Sequence, residues 1–322
     1  MTAAVVHKLL AVFLTVVLGW VAGRMRWLDT GADTRDPARV LGNAAFSIFV
    51  PALLFRTTAR LDFEAMPWRT VAAYFVPVVA LGLALYVWQR RRGATPAAAP
   101  ATRMVAVTFG NSVQLGIPMA AALFGEAGLA IHIALVSVHA LILLSVPTVL
   151  AELDLARTMP GQRHPWQTLA ATAKSTVVHP VVLPVLAGLA WNFTGLGLHP
   201  VVDEVLVALG SAVVPVCLVL IGLSLAYYGV QGHWRGALAV TVLKLLVLPA
   251  LVLVVARWGF GLTGLPLAVL VLLAAMPTGS NALIFAQRYD VLQREATAAI
   301  VVSTFAVALA VPLWLAVLGA LG

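Results

Sequence analysis

Residues 275–282 read Ala-Met-Pro-Thr-Gly-Ser-Asn-Ala, and residues 109–118 read Phe-Gly-Asn-Ser-Val-Gln-Leu-Gly-Ile-Pro. Each run places proline, glycine and several amide or hydroxyl side chains in the middle of an apolar segment. Proline removes a backbone donor and glycine permits non-helical angles, so both runs predict an interrupted helix. Such backbone survives inside a hydrophobic layer only where protein or a wet cavity supplies hydrogen bonds. The two runs therefore predict where a polar site lies.

The surrounding sequence is that of a membrane protein. Of 322 residues, 62% are hydrophobic and only 10% are charged, whereas soluble domains carry roughly 25% charged residues. Apolar stretches long enough to cross about 30 Å of hydrocarbon recur from end to end. We therefore predict an all-α membrane protein with ten transmembrane helices, of which helices 4 and 9 are broken. The ten predicted spans are 4–24, 38–58, 68–89, 101–124, 127–150, 173–194, 202–227, 234–257, 265–287 and 296–320.

The basic residues predict an orientation rather than a nucleic-acid surface. Although the net charge is +8, most Lys and Arg lie at the ends of apolar stretches. Fourteen of them fall in the odd-numbered connections and five on the other side, with Lys244 alone near the middle of a span. The positive-inside rule then places both termini outside the cytoplasm. We expect no nucleic-acid partner, and the lipids of the membrane surround the chain.

Prolines indicate an internal repeat. Those of helices 2, 3, 4 and 5 recur five helices later at offsets of 164, 172, 159 and 165 residues. The pairs are Pro51 with Pro215, Pro77 with Pro249, Pro118 with Pro277, and Pro147 with Pro312. Because five is odd, the second half enters the membrane from the opposite side, as in many secondary transporters. The predicted division is a first repeat at 1–150, a cytoplasmic connecting loop at 151–172 and an inverted repeat at 173–322; chance alignment of prolines is the alternative.

The two predicted interruptions occupy equivalent positions in the two halves, which is where a transporter substrate binds. The downstream half-helices would offer positive dipole ends to a carboxylate. The alternative is a pair of kinks whose polar groups are satisfied internally. The candidate substrate-binding residues of the two runs are Asn111, Gln114, Gly116, Pro118, Pro277, Thr278, Ser280 and Asn281.

Three ionisable residues within the spans complete the candidate site. Lys244 lies near mid-membrane, where a charged lysine costs about 2.5–3.5 kcal/mol on insertion scales. No Asp or Glu lies deep in any span, so the substrate's own negative charge is one candidate partner; a carbonyl contact or snorkelling is the other. His132 and His139, seven residues apart, are candidates for a proton relay, with neutral hydrogen-bonded histidines as the alternative.

Several segments together resemble the auxin efflux carrier family, which includes bacterial malonate and malate permeases and the plant auxin exporters. They are residues 43–55, Gly110–Asn111, residues 116–118, Lys244–Pro249, residues 276–281, residues 286–289 and residues 302–304. The resemblance covers essentially the whole chain. The connection between helices 5 and 6 is short, as in bacterial members, whereas the plant exporters carry a long loop there.

The resemblance implies a fold like that of bile acid–sodium symporters. Helices 1, 2, 6 and 7 would form a scaffold, and helices 3–5 and 8–10 a transport unit that moves like an elevator. Helices 4 and 9 would cross beside the substrate, an organic anion. Residue by residue, Asn111, Gly116 and Pro118 match the first crossing motif, and Pro277 and Asn281 the second.

Together these features predict a secondary transporter, a permease for a small organic anion such as a mono- or dicarboxylate, in the bacterial plasma (inner) membrane. No Walker A, HExxH or GxSxG motif is present, so neither ATP drive within this chain nor a known hydrolase is indicated. We expect no enzymatic activity, cofactor or metal site. A membrane-embedded enzyme and a channel or sensor relative are the alternatives. Substrate, direction, coupling ion and the choice between monomer and homodimer stay open.

Overall fold

The computed structural model describes residues 3–28, 37–62, 64, 66–93, 95–158, 182–228 and 234–321. Within these ranges the regular structure is helical, apart from one isolated antiparallel β-bridge between Gly110 and Thr278. The helices are α1 (Ala3–Arg24), α2 (Pro37–Ala44), α3 (Val50–Ala59), α4 (Trp68–Arg91), α5 (Ala99–Thr108), α6 (Ile117–Thr158), α7 (Val182–Phe193), α8 (Pro200–Tyr228), α9 (Trp234–Val242), α10 (Leu248–Val254), α11 (Gly264–Ala274), α12 (Asn281–Arg288) and α13 (Gln293–Leu321).

Short π-helical turns, which the sequence reading did not anticipate, connect or end several of these helices. They are Ala45–Phe49, Ser112–Gly116, Leu243–Val247 and Val255–Gly259. Three of them come shortly before a proline: Pro51, Pro118 and Pro249. A proline cannot donate to the preceding turn, so a wider turn at this point relieves the lost hydrogen bond and the clash with the ring.

The helices confirm the predicted multi-pass membrane protein. In the described part of the chain, six stretches are long and apolar enough to cross a membrane. They are α2 with α3, α4, α6 from Met119, α8, the stretch from α9 to Gly259, and α13. The other predicted spans also contain helix, in α1, α5, α7, α11 and α12. Residues 173–181 of the predicted sixth span lie outside the described residues.

One boundary coincides with the predicted one and another differs. The end of predicted helix 4 and the whole of predicted helix 5 lie in α6, and a non-helical kink at Gly125, where φ is +62°, separates the two at the predicted gap. In addition, α6 continues to Thr158, so the first part of the predicted loop at 151–172 is helical, while 159–172 lie outside the described residues. Buried Asp154 accepts a 2.7 Å hydrogen bond from the Tyr86 hydroxyl and pairs with Arg90 at 3.3 Å, which fastens this extension to α4.

One group of helices packs around α8 through glycine contacts. α1 lies so close to α8 that a Cβ on Gly222 would lie 2.1 Å from the Val16 carbonyl oxygen. α3 packs on both α7 and α8, and a Cβ on Gly188 would lie 2.0 Å from Thr58 Oγ1. Small residues allow this backbone approach, and close packing is what holds helices together in lipid.

The other helices form a second group around the two interruptions. α4 and α6 both pack on α5, α6 packs on α11, and α9 packs on α13. At one end, Arg103 of α5 makes a bidentate pair with buried Glu295 of α13, at 2.6 and 2.9 Å, and also donates to Gln89 of α4. This charged network ties three helices of the second group into one body.

Candidate functional site

The two interrupted segments, residues 109–111 and 277–279, pair through their backbones. We call this pairing the crossing. The Asn111 N–H donates to the Pro277 carbonyl at 2.8 Å, and the Gly279 N–H donates to the Phe109 carbonyl at 2.9 Å. These bonds flank the bridge between Gly110 and Thr278. Each non-helical segment thus satisfies part of its backbone through the other, as burial at this depth requires.

Side chains reinforce the crossing. The Thr278 hydroxyl donates to the Ala106 carbonyl at 3.0 Å, and the Thr278 N–H donates to Ser303 Oγ of α13 at the same distance. A Cβ on Gly279 would lie 2.9 Å from the Phe109 ring and 3.0 Å from the Gly110 carbonyl oxygen. Glycine is therefore needed at position 279 for the two chains to approach.

Both downstream half-helices begin at the crossing without a side-chain cap. The π-helical turn Ser112–Gly116, which leads into α6, is preceded by Asn111, and α12 is preceded by Ser280. Neither residue makes a side-chain capping hydrogen bond. A helix begins with N–H groups that have no partner within the helix, and these carry the positive end of its dipole. Two such ends converge here.

Two cavities border the crossing. The first has a volume of about 270 Å³ and lies between α3, α6 and α8; the second has about 460 Å³ and lies between α1, α8 and α13. Asn111 and Ser280 line both cavities, and Asn281 lines the first. The residues that precede the two uncapped half-helices therefore belong to the walls of both cavities.

The other candidate residues of the two runs fall into two groups. Pro277, Thr278 and Gly116 lie within the crossing and contact neighbouring protein groups, outside the residues that line the two cavities. Gln114 and Pro118 belong to the π-helical turn and to α6, and their side chains are outside the part that the structure describes. The crossing thus combines residues that face a cavity with residues that hold the backbone.

Lys244 lies next to Gly110 of the crossing and outside both cavities. Its side chain is fully buried, and its Nζ donates to the Ala274 carbonyl at 3.0 Å. Ala274 ends α11, where the last carbonyls carry the negative end of the helix dipole. Lys244 lines neither cavity, and its Nζ would lie 3.2 Å from a Cβ on Gly110. The carbonyl contact, one of the two alternatives for Lys244, is the one observed.

The two histidines of α6 have different surroundings. His132 Nε2 lies 2.8 Å from the Ser112 carbonyl oxygen, so this ring supports the start of the half-helix. His139 lines the first cavity, and neither of its ring nitrogens has a hydrogen-bond partner in the described part of the chain. The two histidines, which were joint candidates for a proton relay, therefore have different contacts in the structure.

Sequence reasoning did not identify the wall of the second cavity. Phe13 and Trp20 of α1 and Phe305 of α13 line it, and the rings of Phe13 and Phe305 meet at a centroid distance of 5.6 Å. The spacing of Phe13 and Trp20, two turns of one helix, places both on one face. In an apolar span that spacing is equally typical of a lipid-facing surface, so it did not predict a cavity wall.

A multi-pass protein in which two interrupted helices meet beside cavities has the architecture of a membrane transport protein. The sequence model of the family described as membrane transport protein matches residues 4–315. The chain belongs to this family, the auxin efflux carrier family, as the resemblance predicted. An uncharacterized transporter of Methanothermobacter thermautotrophicus is 26% identical over 318 residues, which cover 97% of this chain and 98% of the relative.

Proposed function

We propose that the protein is a secondary transporter of a small organic anion, a mono- or dicarboxylate, which binds at the crossing. The observation that carries this proposal is the convergence of two uncapped half-helix starts at Asn111 and Ser280, the two residues shared by both cavities. A pair of residues in the walls of two cavities suits a substrate that enters through one cavity and leaves through the other.

The crossing offers a carboxylate several hydrogen-bond donors. The amide side chains of Asn111 and Asn281 and the Ser280 hydroxyl all border the first cavity, and each can donate to an anionic oxygen. Helix N-termini bind anions because backbone N–H groups and the dipole act together. Lys244, buried next to Gly110, would when protonated add a positive potential without touching the substrate.

If the second helix group moves past the first, the crossing moves with it and the cavities beside it change. The first cavity is lined by α3 and α8 on one side and by α6 and the crossing on the other. The second is lined by α1 and α8 opposite α13. In this proposal the helices from α1 to α3, with α7 and α8, are the scaffold, and the remaining helices move as an elevator. Two matched interruptions and the repeated prolines support ten spans in two inverted repeats.

The proposed topology follows from the charge distribution. The end of the molecule that carries Arg90, Arg103 and Arg157 would face the cytoplasm, and both termini would lie outside it. The cell membrane of a bacterium is the proposed location.

Uptake into proteoliposomes tests the transport proposal. Purified protein reconstituted into liposomes should accumulate a labelled carboxylate with saturable kinetics, and unlabelled substrate inside should accelerate entry by counterflow. Flux that does not saturate would indicate a channel. Chemical conversion of the carboxylate without vectorial movement would indicate an enzyme.

A further inference from the structure

The wall of the second cavity is almost entirely apolar. Among the described residues that line it, only Asn111 and Ser280 at the crossing and Thr304 of α13 have amide or hydroxyl side chains. The Thr304 hydroxyl already donates to the Ile300 carbonyl at 2.7 Å. A buried water needs about three polar partners, so water does not suit most of this space, whereas hydrocarbon does.

The cavity opens at a surface that faces the hydrocarbon of the membrane. Phe13 and Trp20 of α1 and Phe305 of α13 line the cavity and are nevertheless 43, 41 and 60% exposed. α13 is long and apolar enough to cross a membrane, and α1 from Phe13 to Arg24 is apolar as well. Exposed rings in such helices contact lipid, because no water is present at that depth. Acyl chains therefore reach the cavity from the side.

Two arginines continue the cavity-lining faces of α1 and α13. Arg24 comes eleven residues after Phe13, and Arg294 comes eleven residues before Phe305. Eleven residues make about three helical turns, so each arginine lies on the same face of its helix as that phenylalanine. The two phenyl rings are in contact, with their centroids 5.6 Å apart. If α1 and α13 run in opposite directions, both arginines lie about 16 Å from this contact, at the same end of the cavity.

The direction of α1 follows from its contacts with α8. A Cβ on Gly19 would lie 2.2 Å from the Val219 carbonyl oxygen, and a Cβ on Gly23 would lie 2.7 Å from the Cβ of Ala226. Higher residue numbers in α1 thus lie beside higher residue numbers in α8, and the two helices run parallel. Arg24, in the last turn of α1, therefore lies toward the end of α8.

The direction of α13 follows from the stretch that contains α2 and α3. Arg56 in the last turn of α3 pairs with Asp203 in the first turn of α8 at 2.8 Å, so α2 begins toward the end of α8. The start of α2 in turn contacts the segment just before α13, because Gln287 donates to the Ala38 carbonyl at 3.3 Å. α13 therefore begins at the end of the molecule where α1 ends, and the two helices run in opposite directions.

Neither Arg24 nor Arg294 is neutralised by a carboxylate within the described part of the chain. Both are exposed, whereas Glu295, the neighbour of Arg294, is buried and paired with Arg103. The Arg24 guanidinium lies 5.9 Å from the centroid of the Trp20 ring, which places it beside the cavity wall. Arginine presents paired donors that match a phosphate group. The apolar cavity thus has two cations at one end that suit a phosphate.

We infer that the second cavity holds an acyl chain of an anionic phospholipid, whose phosphate lies between Arg24 and Arg294. The distance of about 16 Å from the arginines to the phenylalanine contact is close to half of the roughly 30 Å of membrane hydrocarbon, which is the depth of one leaflet. Trp20, one turn before Arg24, then lies near the headgroups, where tryptophan is enriched. The inference goes beyond the proposed function and does not depend on it. In the proposed transport cycle, the chain would have to leave this cavity before a substrate passes through it.

Lipid binding to the purified full-length protein in detergent tests this inference. Mass spectrometry under non-denaturing conditions counts the lipids that stay bound as dioleoylphosphatidylglycerol is titrated. Dioleoylphosphatidylcholine has the same chains without a net charge, and glycerol 3-phosphate has the phosphate without the chains. We expect the phosphatidylglycerol to bind roughly tenfold more tightly than the phosphatidylcholine, because two arginines attract its net negative charge. Glycerol 3-phosphate at the same concentrations should not bind.

Two variants separate the headgroup from the chain. Arg24→Gln combined with Arg294→Gln should reduce the preference for phosphatidylglycerol to less than about twofold, because the charges are gone. Ala308→Phe should weaken binding of both lipids by about tenfold, since Ala308 lines the cavity and a phenyl ring there takes the space of the chain. Melting of each variant without lipid reports whether it is folded.

Matched controls use residues of the same kind outside the cavity. Arg92→Gln removes an exposed arginine whose guanidinium also lies over a tryptophan, 4.5 Å from the centroid of the Trp88 ring, and Arg92 lines neither cavity. Leu309→Phe adds a ring at an exposed position of α13, beside Ala308 but outside the cavity wall. Both controls should bind the two lipids as the wild type does.

A preference for phosphatidylglycerol that survives the loss of both arginines would overturn the headgroup site. Unchanged lipid binding in Ala308→Phe would overturn the cavity as the place of the chain, and equally tight binding of glycerol 3-phosphate would overturn the lipid in favour of a free anion. If Arg92→Gln acts like the double variant, the preference reflects the overall charge and the site is wrong. None of these measurements involves a carboxylate or its transport, so they test this site independently of the proposed function.

Discussion

The imidazole of His132 occupies the space that any side chain at Gly116 would need. A Cβ on Gly116 would lie 2.8 Å from both Cε1 and Nε2 of the ring, and the same Nε2 lies 2.8 Å from the Ser112 carbonyl oxygen. His132 thus contacts both ends of the π-helical turn Ser112–Gly116. The ring is fully buried. We interpret it as the support that fixes the start of the half-helix at the crossing.

Gly116→Ala should therefore lower both thermal stability and transport. Overpacking of a tight interior site costs about 1–3 kcal/mol, and the ring can retreat only by losing its bond to Ser112. Combining Gly116→Ala with His132→Asn should recover part of the stability, since the smaller amide leaves room and still can donate. Melting of the detergent-solubilised single and double variants measures this. Strictly additive losses would show that the two positions do not compete for space.

Asn111→Ala and Asn281→Ala should each abolish uptake while the melting temperature stays close to that of the wild type. Both side chains border the first cavity at the proposed carboxylate site, and loss of a donor to a charged group costs about 1.5–3 kcal/mol. Asn192→Ala is the control, because Asn192 donates instead to the carbonyls of Ala59 and Leu61 between α7 and α3. It should lower stability without changing affinity. Wild-type transport in both crossing variants would place the substrate elsewhere.

Much of the crossing could be predicted from the sequence because its causes are local. Proline, glycine and polar side chains are combined in each of the runs 109–118 and 275–282 and weaken the helix locally, and the structure interrupts both helices there. The predicted gap between spans at 124 and 127 likewise coincides with the kink at Gly125. Apolar length alone predicted that the chain spans a membrane.

The remaining features depend on contacts that a single sequence does not encode in any local pattern. The pairing of Phe109 with Gly279 joins segments about 170 residues apart. Seven-residue spacing placed His132 and His139 together on one helix face, but the neighbours of each ring decide its contacts, and these come from the crossing and from α4. The contact of Lys244 with the Ala274 carbonyl, 30 residues along the chain, is likewise not encoded in a local pattern.

Lys244 can be tested for an electrostatic role separately from its structural one. Lys244→Met leaves the Ala274 carbonyl unpaired, which should cost about 1–3 kcal/mol of stability. Lys244→Gln removes the charge and keeps a donor, on a side chain that is one bond shorter. If the positive potential behind Gly110 assists the anion, both variants should bind the substrate more weakly, while only Lys244→Met should melt at a clearly lower temperature. An unchanged affinity in Lys244→Gln would restrict Lys244 to holding the end of α11.

Gly222→Ala should weaken the pairing of α1 with α8. The new Cβ would lie 2.1 Å from the Val16 carbonyl oxygen and 2.5 Å from the Trp20 backbone nitrogen, so the helices must separate. Gly319→Ala in α13 is the matched control, because no atom lies within 4 Å of its Cβ position and alanine favours the helix by up to about 1 kcal/mol. Thermal unfolding should show a clear decrease for Gly222→Ala and none for Gly319→Ala. Equal effects would mean that close backbone approach does not stabilise this pair.

A cross-link between α1 and α13 tests whether the second helix group moves during transport. Phe13 and Phe305 contact each other in the wall of the second cavity, and Cys217 is the sole cysteine of the chain. Phe13→Cys with Phe305→Cys, in a Cys217→Ala background, places one thiol on the proposed scaffold and one on the proposed moving group. A short cleavable thiol cross-linker should stop uptake in proteoliposomes, and reduction should restore it, because elevator motion requires the two helices to slide past each other. Each single-cysteine variant, treated alike, controls for the loss of a phenyl ring and for modification by the reagent. Full transport by the cross-linked protein would show that α13 does not move relative to α1, and an elevator of this composition would then be wrong.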